Sequence, residues 1–123
     1  MGNSTSSLLV VEDDGLIRMD LVDILADMGF DVLDSPNADH ALTVMNSNGS
    51  ISALLTDIDM PGSMDGLGLA KMTAEMWPER KIVVISGRYN LENGTLPEGA
   101  RFLTKPISEK DLVATLRDLD VVA

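Results

Sequence analysis

Carboxylates collect immediately after the apolar runs of this 123-residue chain. Glu12, Asp13 and Asp14 follow Leu8–Val11, and Asp57 and Asp59 follow the run from Ile51 to Thr56. Two other runs end on different chemistry: Ile82–Ile85 leads into Ser86, Gly87 and Arg88, and Arg101–Thr104 leads into Lys105 and Pro106. Several carboxylates brought into one crevice cannot all stay ionised without a compensating cation. A hard divalent ion answers that need, because Mg²⁺ takes oxygen ligands, keeps several waters and uses one or two carboxylates with phosphate oxygens. Asp13 and Asp57 suit direct ligation, with Glu12 reaching the ion through water. Lys105, held in place by Pro106, offers positive charge to a tetrahedral phosphoryl group, and Ser86 offers a hydroxyl. Carboxylate nucleophile, metal, ammonium and hydroxyl together are the inventory for phosphoryl transfer by positioning and charge neutralisation. Three adjacent acids alone are equally well a solvated loop; the further acid at a second strand end is what favours a site.

These residues share a place only if the runs are strands of one sheet. Short runs rich in branched residues alternate with longer stretches of helical period, which is the sequence form of a βαβ protein. Strands are expected at Leu8–Val11, Phe30–Leu33, Ile51–Thr56, Ile82–Ile85 and Arg101–Thr104. Helices are expected from Leu16 to Met28, around Ala41, Leu42 and Met45 with Pro36 in the first turn, from Gly66 to Trp77, and after a Ser108 cap through Leu119. Such strands form a parallel sheet with right-handed crossovers, and the crevice of such a sheet lies outside the carboxyl ends of its strands. The stretch from Gly87 to Gly99 holds Asn90, Asn93, Gly94 and Pro97, poor helix residues, so a helix there should be short, irregular or missing.

Composition narrows the functions further. One domain is expected, with residues 1–7 a disordered polar tip and residues 8–120 the folded unit. Apolar residues make up 45% of the chain, enough for a core without staples, and cysteine is absent, which removes disulfides, thiolate metal sites and a Cys nucleophile. A reducing, cytoplasmic setting is the natural expectation. A net charge of −11 repels phosphate backbones and anionic lipid, which argues against direct nucleic-acid binding. No apolar run approaches the roughly 18 residues that cross a bilayer, so membrane insertion is not expected. The single histidine, His40, stands in an expected surface helix and cannot by itself make a metal site.

The segments Val10-Val11-Glu12-Asp13-Asp14, Leu54-Leu55-Thr56-Asp57-Ile58-Asp59-Met60-Pro61, Val83-Val84-Ile85-Ser86-Gly87 and Phe102-Leu103-Thr104-Lys105-Pro106 resemble, in order, those of a response-regulator receiver domain. The resemblance runs from Leu8 to Leu119. It implies a doubly wound α/β fold with a five-stranded parallel sheet in the flavodoxin-like order 2-1-3-4-5 and helices on both faces. It implies that Asp57 accepts a phosphoryl group from a phosphohistidine on a sensor histidine kinase or a histidine phosphotransfer protein, and that the switched state is read by a downstream protein. It further implies Mg²⁺ held by Asp13, Asp57 and the backbone carbonyl of Asp59, with Glu12 acting through water. Ser86 and Phe102 take the switch positions and Lys105 that of the phosphate-binding lysine. Catalysis is then confined to Mg²⁺-dependent self-phosphorylation and self-dephosphorylation.

The chain departs from the family pattern in two places. Gly62 and Ser63 make the turn after Met60-Pro61 one residue longer than usual, and the Gly87–Gly99 stretch lies where the family places a helix of its usual partner face. Asp59 and Arg88 each follow a site residue by two positions and are read either as a pair across the pocket mouth that shields an acyl phosphate from water or, equally well, as two solvated side chains. Three other readings stay open on the residues alone. Asp57 and Asp59 could be the nucleophile and acid of a haloacid-dehalogenase-like phosphatase, although that pair usually sits on a first strand of a longer chain. A flavin module has few aromatic residues to draw on, and a receiver-like fold could signal by contacts without phosphorylation. A stand-alone receiver is expected, though a domain cut from a larger regulator or hybrid kinase would read the same.

Overall fold

A computed structural model describes residues 7–87 and 96–122. The elements are β1 (Ser7–Val11), α1 (Gly15–Asp27), β2 (Asp31–Ser35), α2 (Ala38–Ser47), β3 (Ile51–Asp57), α3 (Gly66–Met76), β4 (Lys81–Ser86), β5 (Arg101–Thr104) and α4 (Glu109–Asp118). The strands form one sheet in the order β2-β1-β3-β4-β5, every pair parallel, as the resemblance implied.

Side-chain alternation along the strands explains the layers. Leu8, Val10, Ala53, Leu55, Val83, Ile85 and Leu103 face α1 and α4, where Leu21, Leu25, Leu112 and Leu116 close the core. Leu9, Val11 and Leu54 face the other way, against Ala41 and Met45 of α2 and Leu69 of α3. Ile82 and Val84 continue that second face against Ile58 and Ala70. A strand covered on both sides reads as an unbroken apolar run, which is why β1 and β3 were legible. Each helix starts on a side-chain acceptor: Asp14, Asn37, Asp65 and Ser108 take the first free amides of α1, α2, α3 and α4.

Three expectations shift. Ser7 belongs to β1 rather than to a polar tip, because its amide bonds the Ser50 carbonyl and its hydroxyl bonds Asp31 and meets Ser50, leaving none of its polar groups unsatisfied in the interior. Residues 1–6 lie outside the described residues. The second strand runs over Asp31–Ser35, further along than Phe30–Leu33. It is an edge strand, so Asp34 can stand exposed in it without breaking the pairing. Pro36 precedes the Asn37 cap of α2 and is not in its first turn. Of the stretch expected to lack a regular helix, Gly87 and residues 96–99 are non-helical, and residues 88–95 lie outside the described residues. The His40 side chain is exposed, and its Nδ1 lies 2.6 Å from Ser35 Oγ.

The register carries the chemistry to one edge. Val11, before Glu12, lies opposite Ser35 on one side and Thr56 on the other, and Asp57 lies opposite Ile85, one residue short of Ser86. Thr104, before Lys105, lies opposite Ser86.

Candidate functional site

Glu12, Asp13 and Asp57 each bring a carboxylate oxygen to within 4.8 Å of the others. Glu12 and Asp57 are almost entirely buried, at 4% and 5% exposure, whereas Asp13 is exposed. Lys105 stands over the two buried acids, its Nζ 3.0 Å from Glu12 Oε1 and 3.3 Å from Asp57 Oδ2. Its place is set by the sheet, since the Lys105 amide bonds the Ser86 carbonyl at 3.0 Å and extends the β4–β5 pairing by one step.

The acidic turn after β1 is tied down on every side. The Glu12 amide bonds the Ser35 carbonyl at 3.1 Å, the Glu12 carbonyl accepts from Arg18 Nη1 at 2.7 Å, and Glu12 Oε2 accepts from the Asp14 amide at 3.1 Å. Asp14 in turn caps α1 through the amides of Leu16 and Ile17. Past Asp57 the chain is held by Ile58, whose amide bonds the Ile85 carbonyl and whose carbonyl accepts from the Gly66 amide, each at 3.0 Å. Asp59 follows, exposed.

Both partners of the Glu12–Lys105 contact have their pKa lifted, which disfavours the charged carboxylate and favours the charged ammonium. Burial pushes the Glu12 carboxyl above its ordinary value, with the Asp57 charge adding to the rise and the bonds from the Asp14 amide and Lys105 opposing it. For Lys105, burial disfavours the ammonium, but the Glu12 bond and the charges of Asp57 and Glu12 outweigh it and lift its pKa. Glu12 is the more deeply enclosed, so the pair costs the carboxylate more than Lys105 returns to it. Replacing Glu12 with Gln is therefore expected to raise the unfolding midpoint of the metal-free protein near neutral pH. A carboxyl whose folded pKa is raised penalises folding fully above that value and not at all below the unfolded one, so the gain should shrink on acidification and vanish below 4.5. Urea unfolding of both proteins across pH checks this, and a Gln variant less stable than wild type at neutral pH would show the Lys105 bond to be dominant.

Five expected site residues are thus gathered at one edge: Glu12 and Asp57 paired with Lys105, Asp13 with a carboxylate oxygen within 4.8 Å of theirs, and Ser86, fully buried, at the adjoining strand end. Phe102 is elsewhere. It is half-buried on the α3 side of the sheet, opposite Val84, against the cluster of Ile58, Ala70 and Ile82. Arg88 lies outside the described residues, and with it the expected pairing to Asp59. Two contributors went unrecognised as such. Arg18 reads in sequence as one cation on a helix, and Gly66 as the first residue of another, although an ideal Cβ on Gly66 would lie 1.8 Å from the Asp57 carbonyl oxygen.

The family model described as "Response regulator receiver domain" matches residues 8–117. The chain belongs to this family. The response regulator receiver protein CpdR of Brucella abortus (strain 2308) is 34% identical over 119 residues, spanning 94% of this chain and 98% of that protein. A putative response regulator NtrX-like protein of Rickettsia bellii is 31% identical over 118 residues, 93% of this chain but 24% of its own length. The crystal structure of the receiver domain from hybrid histidine kinase CckA superposes with a TM-score of 0.80 at 30% identity, covering 93% of this chain and 98% of that one. The chain therefore spans the whole of some relatives and about a quarter of others. A receiver domain is a phosphoacceptor of two-component signalling, and the comparisons give no support to the dehalogenase-type phosphatase. Receiver domains bind Mg²⁺ at an acidic pocket, and the acidic group is present in this chain. Among the described residues, no helix is long and apolar enough to cross a membrane.

Proposed function

We propose that Asp57 is the phosphoacceptor and that the pocket around it is a phosphorylation switch. The observation that carries this reading is the placement of one nearly buried carboxylate, Asp57, between a lysine at 3.3 Å and two further acids within 4.8 Å. An Asp57 oxygen attacks phosphorus, the bond from phosphorus to the donor's imidazole nitrogen breaks, and the imidazole leaves with that electron pair and takes up a proton. The product is an acyl phosphate on Asp57.

The donor set fits Mg²⁺, being carboxylate oxygens with no sulfur or imidazole among them. Asp13, Asp57 and the Asp59 carbonyl would hold the ion, with Glu12 acting through water. When bound, Mg²⁺ supplies positive charge for the phosphoryl oxygens. Lys105 gives up its bonds to the acids for one phosphoryl oxygen, and the Ser86 hydroxyl takes another. The modification adds roughly 1.5 to 2 negative charges to a nearly closed pocket, and Phe102 moves with Ser86 to record them.

Incubation with Mg²⁺ and acetyl phosphate, followed by intact mass, tests the proposal. A single, hydroxylamine-labile phosphoryl adduct supports it. No adduct would favour the reading in which the fold signals by contacts alone.

The donor, in this reading, is a phosphohistidine on a sensor histidine kinase or phosphotransfer protein. Leu16, Ile17 and Met19 stand exposed at the start of α1, and a groove of about 370 Å³ lined by Ile17, Leu21, Ile24 and Ile107 opens beside Lys105. This apolar surface adjoins the acceptor and suits a protein donor. Ile17→Glu should slow transfer from a phosphohistidine protein about tenfold or more, since it buries a charge against apolar surface, and leave labelling by acetyl phosphate unchanged. Equal slowing with both donors would place the defect in the pocket.

A further inference from the structure

We infer that Arg18 is a positioning residue for the acidic pocket: by joining the Glu12 carbonyl to Asp34, it fixes the turn that presents Glu12 and Asp13. The inference rests on the cation-binding reading above.

The geometry is specific. Arg18 Nη1 donates to the Glu12 carbonyl at 2.7 Å while Nε donates to Asp34 Oδ2 at 2.9 Å. One guanidinium therefore spans the carboxyl ends of two neighbouring strands, β1 and β2, and only a planar fork can make both bonds at once. The bonded carbonyl belongs to the residue whose side chain meets Lys105 and whose C-terminal neighbour is Asp13. Rotation of the peptide between Glu12 and Asp13 would move both carboxylates, and the Arg18 bond opposes that rotation. The Asp14 amide bond to Glu12 Oε2 lies inside the same turn and depends on it.

The charge and the geometry of Arg18 make opposite predictions, which makes the inference sharp. A positive charge near the acids opposes a divalent cation, so an effect through charge alone would have its removal tighten Mg²⁺ binding. An effect through geometry would have its removal weaken binding, since partners that orient metal-binding groups carry about tenfold or more in affinity. Arg18 is three-quarters buried and Asp34 half exposed, so solvent and Asp34 screen its charge while leaving its bonds in place.

Calorimetric titration of wild type, Arg18→Ala, Arg18→Lys and Asp34→Asn with Mg²⁺ tests this, together with amide hydrogen exchange of the metal-free proteins. Arg18→Ala should weaken Mg²⁺ binding about tenfold and speed exchange at Asp14 without changing exchange at Leu54 in the sheet centre. Arg18→Lys keeps the charge and loses the fork, and should fall between. Asp34→Asn leaves the Glu12 bond and should change less than Arg18→Ala. Acetyl phosphate labelling of Arg18→Ala should be slow at low Mg²⁺ and recover at saturating Mg²⁺. Unchanged or tighter Mg²⁺ binding by Arg18→Ala overturns the inference, as does an Arg18→Lys protein equal to wild type. If Arg18→Ala does not fold, the comparisons of Arg18→Lys and Asp34→Asn with wild type decide by the same criteria. A wild-type protein that neither binds Mg²⁺ nor takes label overturns the metal-site reading and this inference with it.

Discussion

Asp57→Asn should take no phosphoryl group from acetyl phosphate while folding at least as well as wild type. The amide differs from the carboxylate by one charge and hardly in shape, so the loss of labelling would be chemical rather than structural. An amide oxygen is a poor nucleophile toward phosphorus, and label should fall from about one group per chain to none. Stability should not fall, because the Asp57 charge is one of the influences that push the Glu12 carboxyl up, and Lys105 keeps its closer bond to Glu12 at 3.0 Å. Intact mass and urea unfolding on the same preparations give both results. An adduct on the Asn variant would move the phosphoacceptor to another acid of the edge, Asp13 or Asp59. A variant that is unlabelled and also unfolded would leave the role of Asp57 to be decided by Asp13→Asn, which keeps the nucleophile and removes one carboxylate from the group. That variant should label slowly and regain rate with added Mg²⁺.

Legibility in the sequence followed the burial of the strands. β1 and β3 are covered on both faces, so hydrophobic runs that stop at charged residues located Glu12, Asp13 and Asp57 before any geometry was known. Lys105 was legible on different grounds, because β5 is a part-buried edge strand and it is the Lys105-Pro106 step after Thr104 that marks its end. The edge strand β2 reads as ending too soon because exposed Asp34, with Ser35 after it, looks like a boundary, although Asp34 serves the structure through Arg18, as Asp31 does through Ser7. Ser7 looked like tail for a related reason: a hydroxyl carries no pattern until its partners, here Asp31 and Ser50, are placed beside it. Arg18 could not be assigned at all. Its partners are a backbone carbonyl six residues back and a carboxylate on another strand, and no periodicity encodes either contact.

The largest effect on the fold is expected at Gly66, where helix propensity and packing disagree in sign. Alanine favours a helix over glycine by up to about 1 kcal/mol, so a sequence argument makes Gly66→Ala stabilising. The structure reverses this. An ideal Cβ at position 66 would sit 1.8 Å from the Asp57 carbonyl oxygen and 2.8 Å from Ile58 Cα, both backbone atoms with no rotamer to escape through. The Gly66 amide also bonds the Ile58 carbonyl at 3.0 Å, so α3 cannot withdraw without breaking that bond. Relief requires α3 or the end of β3 to move by more than an ångström, and overpacking of this kind costs about 1–3 kcal/mol or more. Because the moving backbone carries Asp57, labelling by acetyl phosphate should fall along with stability. Gly68→Ala supplies the contrast within the same helix: its Cβ would meet Met64 Cγ at 2.8 Å, a side-chain atom of a half-buried methionine that can turn aside. Gly68→Ala should thus stay within about 1 kcal/mol of wild type and label normally. Urea unfolding and initial labelling rates of the two variants separate the cases, and a Gly66→Ala protein as stable as Gly68→Ala would mean that α3 is not seated on the end of β3 as closely as 1.8 Å implies.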